Sequence, residues 1–265
     1  MLPVVDLPVV YYLVDEAARS GITDVLIIVG EKDSSIPRFL SQSSELADEL
    51  IRSGNESVLE RLSEISRTVN ISYAYQEEAS GLADAVALGE DFVADEPFCV
   101  LYGDDLILSD EPVCAQLISV YEKYGAAVLG VQSVPCGKLS DYCSLKVAEP
   151  QIEDGLYRCL DIIEKPARGE EYSSLAVLGR LVLTKDVFDV IKGLRKGRSG
   201  EHQLTDAVAE LASRATVLAK EFSGARYDLG SKAGFVKANI AAGLLREEIK
   251  DELKEFLKEL IKEWI

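Results

Sequence analysis

The sequence predicts an α/β fold: a mainly parallel central sheet flanked by helices. Two observations carry this. Short apolar runs of strand length alternate with amphipathic stretches of helical period along most of the chain. Several apolar runs also end in Gly or Gly-Asp, the turn chemistry expected where a strand hands over to a loop. The 265 residues, 48% of them apolar, suffice for one large domain spanning 1–265, and no repeat or low-complexity linker divides them.

The elements follow in order. Residues 9–19 carry apolar side chains at helical spacing (Val10, Leu13, Val14, Ala17, Ala18) and stop at Gly21. Residues 24–29 are a strand ending in Gly30. Residues 34–40 form a short helix, with Pro37 in its first turn. Residues 44–67 are polar and helical in period, with a break at Ser53-Gly54-Asn55. Strands are expected at 71–75 and 98–102, separated by a helix at 81–91. A helix at 113–124 precedes a strand at 127–132. Strand-like pieces follow at 144–148, 157–163 and 175–183. Helices at 185–193 and 204–214, a strand at 216–222 and a helix from 232 to about 243 complete the body. Residues 246–265 alternate acids and bases with Leu, Ile, Phe and Trp at helical spacing, an amphipathic terminal helix that packs on the body or on a partner.

Composition narrows function. A formal charge of −18 disfavours nucleic acid, which rewards a basic face. It also means that any phosphate ligand needs a local positive pocket. No run reaches the ~18 apolar residues of a membrane span, and no basic segment followed by an apolar core stands at the N-terminus, so a soluble cytoplasmic protein is expected. The five cysteines include no C-x-x-C pair. They read as reduced, mostly buried thiols rather than a disulfide framework or a zinc site.

The residues with chemistry sit at strand ends. Tyr102-Gly103-Asp104-Asp105 follows a strand, at the edge where open α/β sheets bind ligands. A carboxylate there is either a Mg²⁺ ligand or part of a solvated turn. Ile163-Glu164-Lys165-Pro166 ends another strand. Its lysine suits a phosphate and its glutamate suits sugar hydroxyls, unless the segment is a surface turn. Asp228, in Tyr227-Asp228-Leu229-Gly230, is a second metal carboxylate or a helix cap. Gln76, just past a strand, suits a base edge. Gly81 opens a helix whose backbone donors suit an anion or a carbonyl. The segment 201–206 reads as a helix start with Thr205 or Asp206 near the cap. His202, the single histidine, reads as a polar surface residue with no triad around it. Histidine-based acid–base chemistry is therefore hard to build, whereas nucleotidyl transfer to a sugar phosphate needs no base, because the acceptor is already an anionic nucleophile.

Taken in order, these segments resemble the UTP–glucose-1-phosphate uridylyltransferases over essentially the whole chain. They are MLPVVDLPVVYYLVDEA, the strand at 24–29, Tyr75-Gln76 with Gly81-Leu82-Ala83-Asp84-Ala85-Val86, and Asp95-Glu96-Pro97-Phe98 leading to Gly103-Asp104-Asp105. Ile163-Glu164-Lys165-Pro166, Gly179-Arg180, Gln203-Leu204-Thr205-Asp206-Ala207 and Tyr227-Asp228-Leu229-Gly230 follow. The helical insert at 44–67 resembles this branch rather than the thymidylyltransferases.

The resemblance implies a Rossmann-like fold of the nucleotide-diphospho-sugar transferase type. It implies that UTP and glucose 1-phosphate give UDP-glucose and pyrophosphate. It also implies that Gln76 and the Gly81 backbone recognise uracil, that Asp104 and Asp228 hold Mg²⁺, that Glu164 and the Gly179 backbone hold glucose, and that Lys165 contacts the phosphates. Asp104 and Lys165 are thus the expected catalytic pair, and a homodimer or homotetramer the expected assembly.

Two features depart from the family pattern. The family's first strand, its G-x-G-T-R loop and its P-K-E stretch precede "MLPV" and do not occur in the sequence. The expectation is a sheet with its first strand missing, unpaired neighbouring edges, an apolar slot and impaired transfer. Met1, the only methionine, falls on an internal family position, as a wrongly assigned start would. The second departure is Cys143, where the family has glycine beside the sugar; its side chain is expected to crowd that approach. Two alternatives accompany the uridylyltransferase reading: a non-catalytic nucleotide-sugar-binding or regulatory relative, and transfer with dTTP or another sugar phosphate.

Overall fold

A computed structural model describes residues 2–30, 35–41, 44–54, 56–197 and 200–264. Met1, Ser34, Asn55 and Ile265, which enter the expectations above, lie outside the described residues. A tight pair of strands, β1 (Pro3–Val4) and β2 (Leu7–Pro8), leads into α1 (Val9–Arg19), then β3 (Asp24–Val29). The short helix expected at 34–40 is α2 (Ser35–Leu40), and the polar stretch 44–67 is split as expected, into α3 (Ser44–Arg52) and α4 (Glu56–Thr68), before β4 (Asn70–Tyr75). The helix expected over 81–91 is two short ones, α5 (Leu82–Ala87) and α6 (Glu90–Val93), parted at Gly89. Next come β5 (Phe98–Leu101), β6 (Asp105–Leu108), α7 (Val113–Tyr124) and β7 (Ala127–Ser133). A 3-10 turn over Cys136–Asp141 precedes β8 (Cys143–Val147), β9 (Leu156–Glu164) and β10 (Leu175–Leu183). The chain closes with α8 (Asp186–Gly193), α9 (Leu204–Arg214), β11 (Val217–Glu221), β12 (Ala225–Asp228), α10 (Lys232–Gly243) and α11 (Lys250–Trp264).

The α/β class holds, with helices packed about a central sheet. Within it the pairing is mixed rather than mainly parallel. The six-stranded sheet has the order β5-β10-β7-β11-β9-β8, and β7 with β11 is its one parallel pair among the described residues. β8 and β9 follow one another with no helix between them, and such a direct connection makes neighbouring strands antiparallel. β3 and β4 form a separate parallel pair, joined through the helices α2 to α4.

Three apolar clusters hold these parts. The largest packs α7, α8 and α9 on the six-stranded sheet, and all nine residues of β10 are buried. A second joins α1 and α4 through Val10, Val14, Val58, Leu62 and Ile65. A third packs β1, α1, β6 and α10 through Val4, Leu13, Leu106 and Ala238. Between β3 and β5 lies a cleft of about 1350 Å³. Val25, Leu26 and Ile27 line one wall and Cys99, Val100 and Leu101 the other. Each of these two strands pairs on one edge only among the described residues. The unpaired edges and the apolar slot expected from the sequence are therefore both present.

Candidate active site

The polar end of this cleft gathers residues from four strand ends. β5 runs out at Leu101 into Gly103 and Asp104, and β12 ends at Asp228. β12 pairs with β6 so that Asp228 stands opposite Asp105, and Leu229 N–H donates to the Asp104 carbonyl at 2.8 Å. This register brings the Asp104 and Asp228 carboxylates to one point. A Cβ added to Gly230 would lie 3.1 Å from Asp228 Oδ1 and 3.5 Å from Asp104 Oδ2. Asp228 is not a side-chain helix cap. That role falls to Ser231, whose Oγ accepts the Gly234 N–H at 3.0 Å. Asp228 Oδ1 takes the Gly230 N–H at 2.9 Å, and Oδ2 takes the Tyr142 hydroxyl at 3.2 Å. Two convergent carboxylates are hard oxygen donors of the kind a divalent cation uses when it shares its shell with phosphates.

Glu164 and Lys165 line the same cleft from the end of β9. Glu164 Oε2 accepts from the Thr205 hydroxyl at 2.8 Å. Burial pushes the Glu164 carboxyl above its ordinary value, against the lowering effects of Thr205 and Lys165. Lys165 has φ of +43°, uncommon for a side-chain-bearing residue, and its N–H donates to the Tyr142 carbonyl at 2.7 Å. This tight turn ends the strand and leaves the exposed Lys165 side chain on the cleft.

Gly179 lies deeper. Its φ is +73°, and an added Cβ would meet Asp105 Oδ2 at 2.4 Å, so glycine is what lets this carboxylate approach β10. Its carbonyl already accepts from Tyr102 N–H at 2.9 Å and Arg180 Nη1 at 3.0 Å. Cys143 is 2% exposed, and its sulfur takes the Val177 N–H at 3.3 Å. Burial raises its thiol to about 12. The side chain expected to crowd the sugar is thus engaged between β8 and β10.

The opposite side carries Gln76 and Gly81. Gln76 Nε2 donates to the Gly81 carbonyl at 3.1 Å, which holds the amide at the cleft. Gly81 has φ of +131°, and its missing Cβ leaves room for the His202 carbonyl, which would otherwise sit 2.3 Å from it. His202 corrects the reading of a free surface residue. Its ring Nδ1 lies 2.9 Å from both carboxylate oxygens of Asp84, and its side chain is three-quarters buried.

Sequence reasoning missed the charges beneath the site. Arg180, fully buried, donates to Glu16 of α1 at 2.7–3.0 Å and to the Asp105 carbonyl at 3.1 Å. Asp105, 2% exposed, pairs with Arg226 at 2.6 Å, and that guanidinium lies 4.8 Å from the centre of the Tyr142 ring. Burial pushes the Asp105 carboxyl up, and Arg226 opposes the rise. The one local signal was a lone charge in an otherwise apolar strand, Arg180 within Leu175–Leu183, which marks a paired charge rather than a surface one.

An α/β sheet with carboxylates and a lysine gathered at its strand ends is of the class that binds ligands at that edge. The nucleotidyl transferase family profile matches residues 1–243, and the chain belongs to that family. Several of its relatives carry the name of uridylyltransferases. The UTP–glucose-1-phosphate uridylyltransferase YngB of Bacillus subtilis is 41% identical over 94% of this chain and 83% of its own length. The UTP–glucose-1-phosphate uridylyltransferase of Staphylococcus epidermidis is 39% identical over 94% of this chain and 86% of its own. Among solved structures, UDP-glucose pyrophosphorylase complexed with UDP-glucose superposes with a TM-score of 0.85 at 33% identity, over 93% of this chain and 90% of that one. The UTP-bound enzyme from Acinetobacter baumannii gives 0.85 at 30% identity, over 98% and 90%.

Proposed function

We propose that the chain transfers a uridylyl group from UTP to glucose 1-phosphate, giving UDP-glucose and pyrophosphate. The observation that carries this reading is the convergence of Asp104, Asp228, Glu164, Lys165 and Gln76 on one cleft. Gln76 and the backbone at Gly81 read the uracil edge. Glu164 accepts hydrogen bonds from glucose hydroxyls, and the Gly179 segment supports the ring from below. Lys165 sits beside Glu164 and takes the phosphates as a point charge. Asp104 and Asp228 would hold a divalent cation, Mg²⁺, which would supply charge neutralisation at the phosphates. The sugar phosphate oxygen attacks the α-phosphorus of UTP, the bond to the β-phosphate oxygen breaks, and pyrophosphate leaves. No general base is required, because the nucleophile arrives ionised.

Pyrophosphate release from UTP, glucose 1-phosphate and Mg²⁺ tests this. Asp104→Asn and Asp228→Asn each lower the rate by roughly a hundredfold or more, as expected on removing one stabilising group from a developing charge. A rate unchanged in both variants would remove the metal assignment. One observation favours a second reading, a nucleotide-sugar-binding relative without turnover. Among the described residues that line the cleft, the cations are Lys165 and Arg226, and Arg226 is committed to Asp105. UDP-glucose binding with no pyrophosphate release would decide for it.

The exposed Phe256 and Ile261 of α11 support self-association as a homodimer or homotetramer, read out by mass in solution. Among the described residues no helix is long and apolar enough to cross a membrane. The proposed site of action is the cytoplasm.

A further inference from the structure

The base-reading and sugar-reading sides of the cleft belong to different parts of the fold, and one short segment joins them. Gln76 and Gly81 flank the stretch between β4 and α5, whereas Glu164 ends β9 in the six-stranded sheet. The segment 202–205 touches both. On one side, His202 N–H donates to the Ser80 carbonyl at 2.9 Å, and the His202 carbonyl accepts the Ala83 N–H at 3.0 Å. On the other, the Thr205 hydroxyl donates to Glu164 Oε2 at 2.8 Å. Leu204 between them is buried, 1% exposed, which fixes the segment on the body. The backbone of His202 sits so close to Gly81 that no side chain fits there.

We propose that His202 and Asp84 form a latch that holds the base-reading loop at a fixed distance from the sugar-reading carboxylate. His202 lies in the strap beside Glu164's partner, and Asp84 lies on α5 directly after Gly81. The ring Nδ1–H donates to the Asp84 carboxylate, both oxygens lying at 2.9 Å. Burial works against the charge on Asp84, yet hydrogen bonds with Ser80 and His202 hold its carboxyl below the ordinary value, so it is present as the acceptor the ring needs. Without the pair, the loop and the segment 202–205 keep two backbone hydrogen bonds but lose a side-chain tie to α5. Neither Asp84 nor His202 lines the cleft. It is a positioning pair, and its effect falls on ligands that span both sides.

This rests on the reading of the cleft given above, and the test separates the two. UDP-glucose spans the cleft; glucose 1-phosphate occupies the sugar side alone. Both are titrated into the wild-type chain and into His202→Leu, His202→Gln, Asp84→Leu and the Leu/Leu double variant, with a melting temperature for each. His202→Leu weakens UDP-glucose about tenfold, the scale of one charged hydrogen bond. Glucose 1-phosphate changes by less than about twofold. His202→Gln, whose amide still donates to Asp84, recovers most of the loss. The double variant is no worse than either single one, because one interaction is removed in all three.

Equal weakening of both ligands that follows the melting temperature would make the pair merely structural and overturn the latch. So would UDP-glucose affinity unchanged in His202→Leu. A wild-type chain that binds neither ligand would bring down the reading of the cleft itself, and the latch with it.

Discussion

Glu164 shows how burial sets the working range of a single carboxylate. Its pKa is raised above the ordinary 4.5 by desolvation. The proton is therefore held more tightly in the folded chain than in the unfolded one. The stability contributed by the protonated form is fully present below 4.5 and lost as pH rises through the folded value. Binding runs the other way, since an ionised Glu164 is the better acceptor for sugar hydroxyls. Glucose 1-phosphate affinity should therefore fall on acidification at a pH above 4.5, before ordinary glutamates titrate. Titrations from neutral pH downward check this, with Glu164→Gln as the variant that loses the inflection. At this scale the sequence was legible where motif and strand end coincide, as at Asp104, Glu164 and Asp228. It was silent where a partner is remote. His202 and Asp84 are 118 positions apart, and neither signals the other in a one-dimensional pattern.

Elements with a strong internal period were read directly. The helices Val113–Tyr124 and Leu204–Arg214 and the strand Leu175–Leu183 occupy the residues their apolar spacing predicts. β6 was missed because Gly103-Asp104 reads as the end of a strand, while Asp105–Leu108 resumes immediately as a new one paired to β12. The mixed pairing of the sheet was missed because β10 pairs antiparallel with the sequence-remote β5 and β7, and a strand's own apolar run does not encode the direction of such a partner. Arg180 lies in β10, where the sequence analysis gave it no structural role. It ties β10 to α1 through Glu16, 164 positions away. Removing one partner strands a buried charge. Arg180→Met is expected to cost about 3–5 kcal/mol in chemical denaturation, with Glu16→Gln less severe because the amide still accepts a hydrogen bond. A change below about 1 kcal/mol for Arg180→Met would show that water reaches the pair.

For the whole molecule, charge and cleft oppose each other. A chain of formal charge −18 repels a nucleoside triphosphate at long range, while Lys165 attracts it only locally. Raising monovalent salt from roughly 0.01 to 0.1 M shortens the screening length from about 30 to about 10 Å. The association rate of UTP at fixed Mg²⁺ should therefore rise over that range, opposite to the behaviour of a basic phosphate site. Stopped-flow mixing measures it, and a falling rate would mean that local cations dominate the approach.

In the proposed function, one cleft reads both ends of a nucleotide sugar. The most direct measurement is calorimetric titration of UDP-glucose, UTP and glucose 1-phosphate into the wild-type chain, Gln76→Ala and Glu164→Ala. The expected pattern is crossed. Gln76→Ala weakens UDP-glucose and UTP but leaves glucose 1-phosphate unchanged, and Glu164→Ala weakens UDP-glucose and glucose 1-phosphate but leaves UTP unchanged. Both variants affecting all three ligands alike, or neither affecting any, would contradict it.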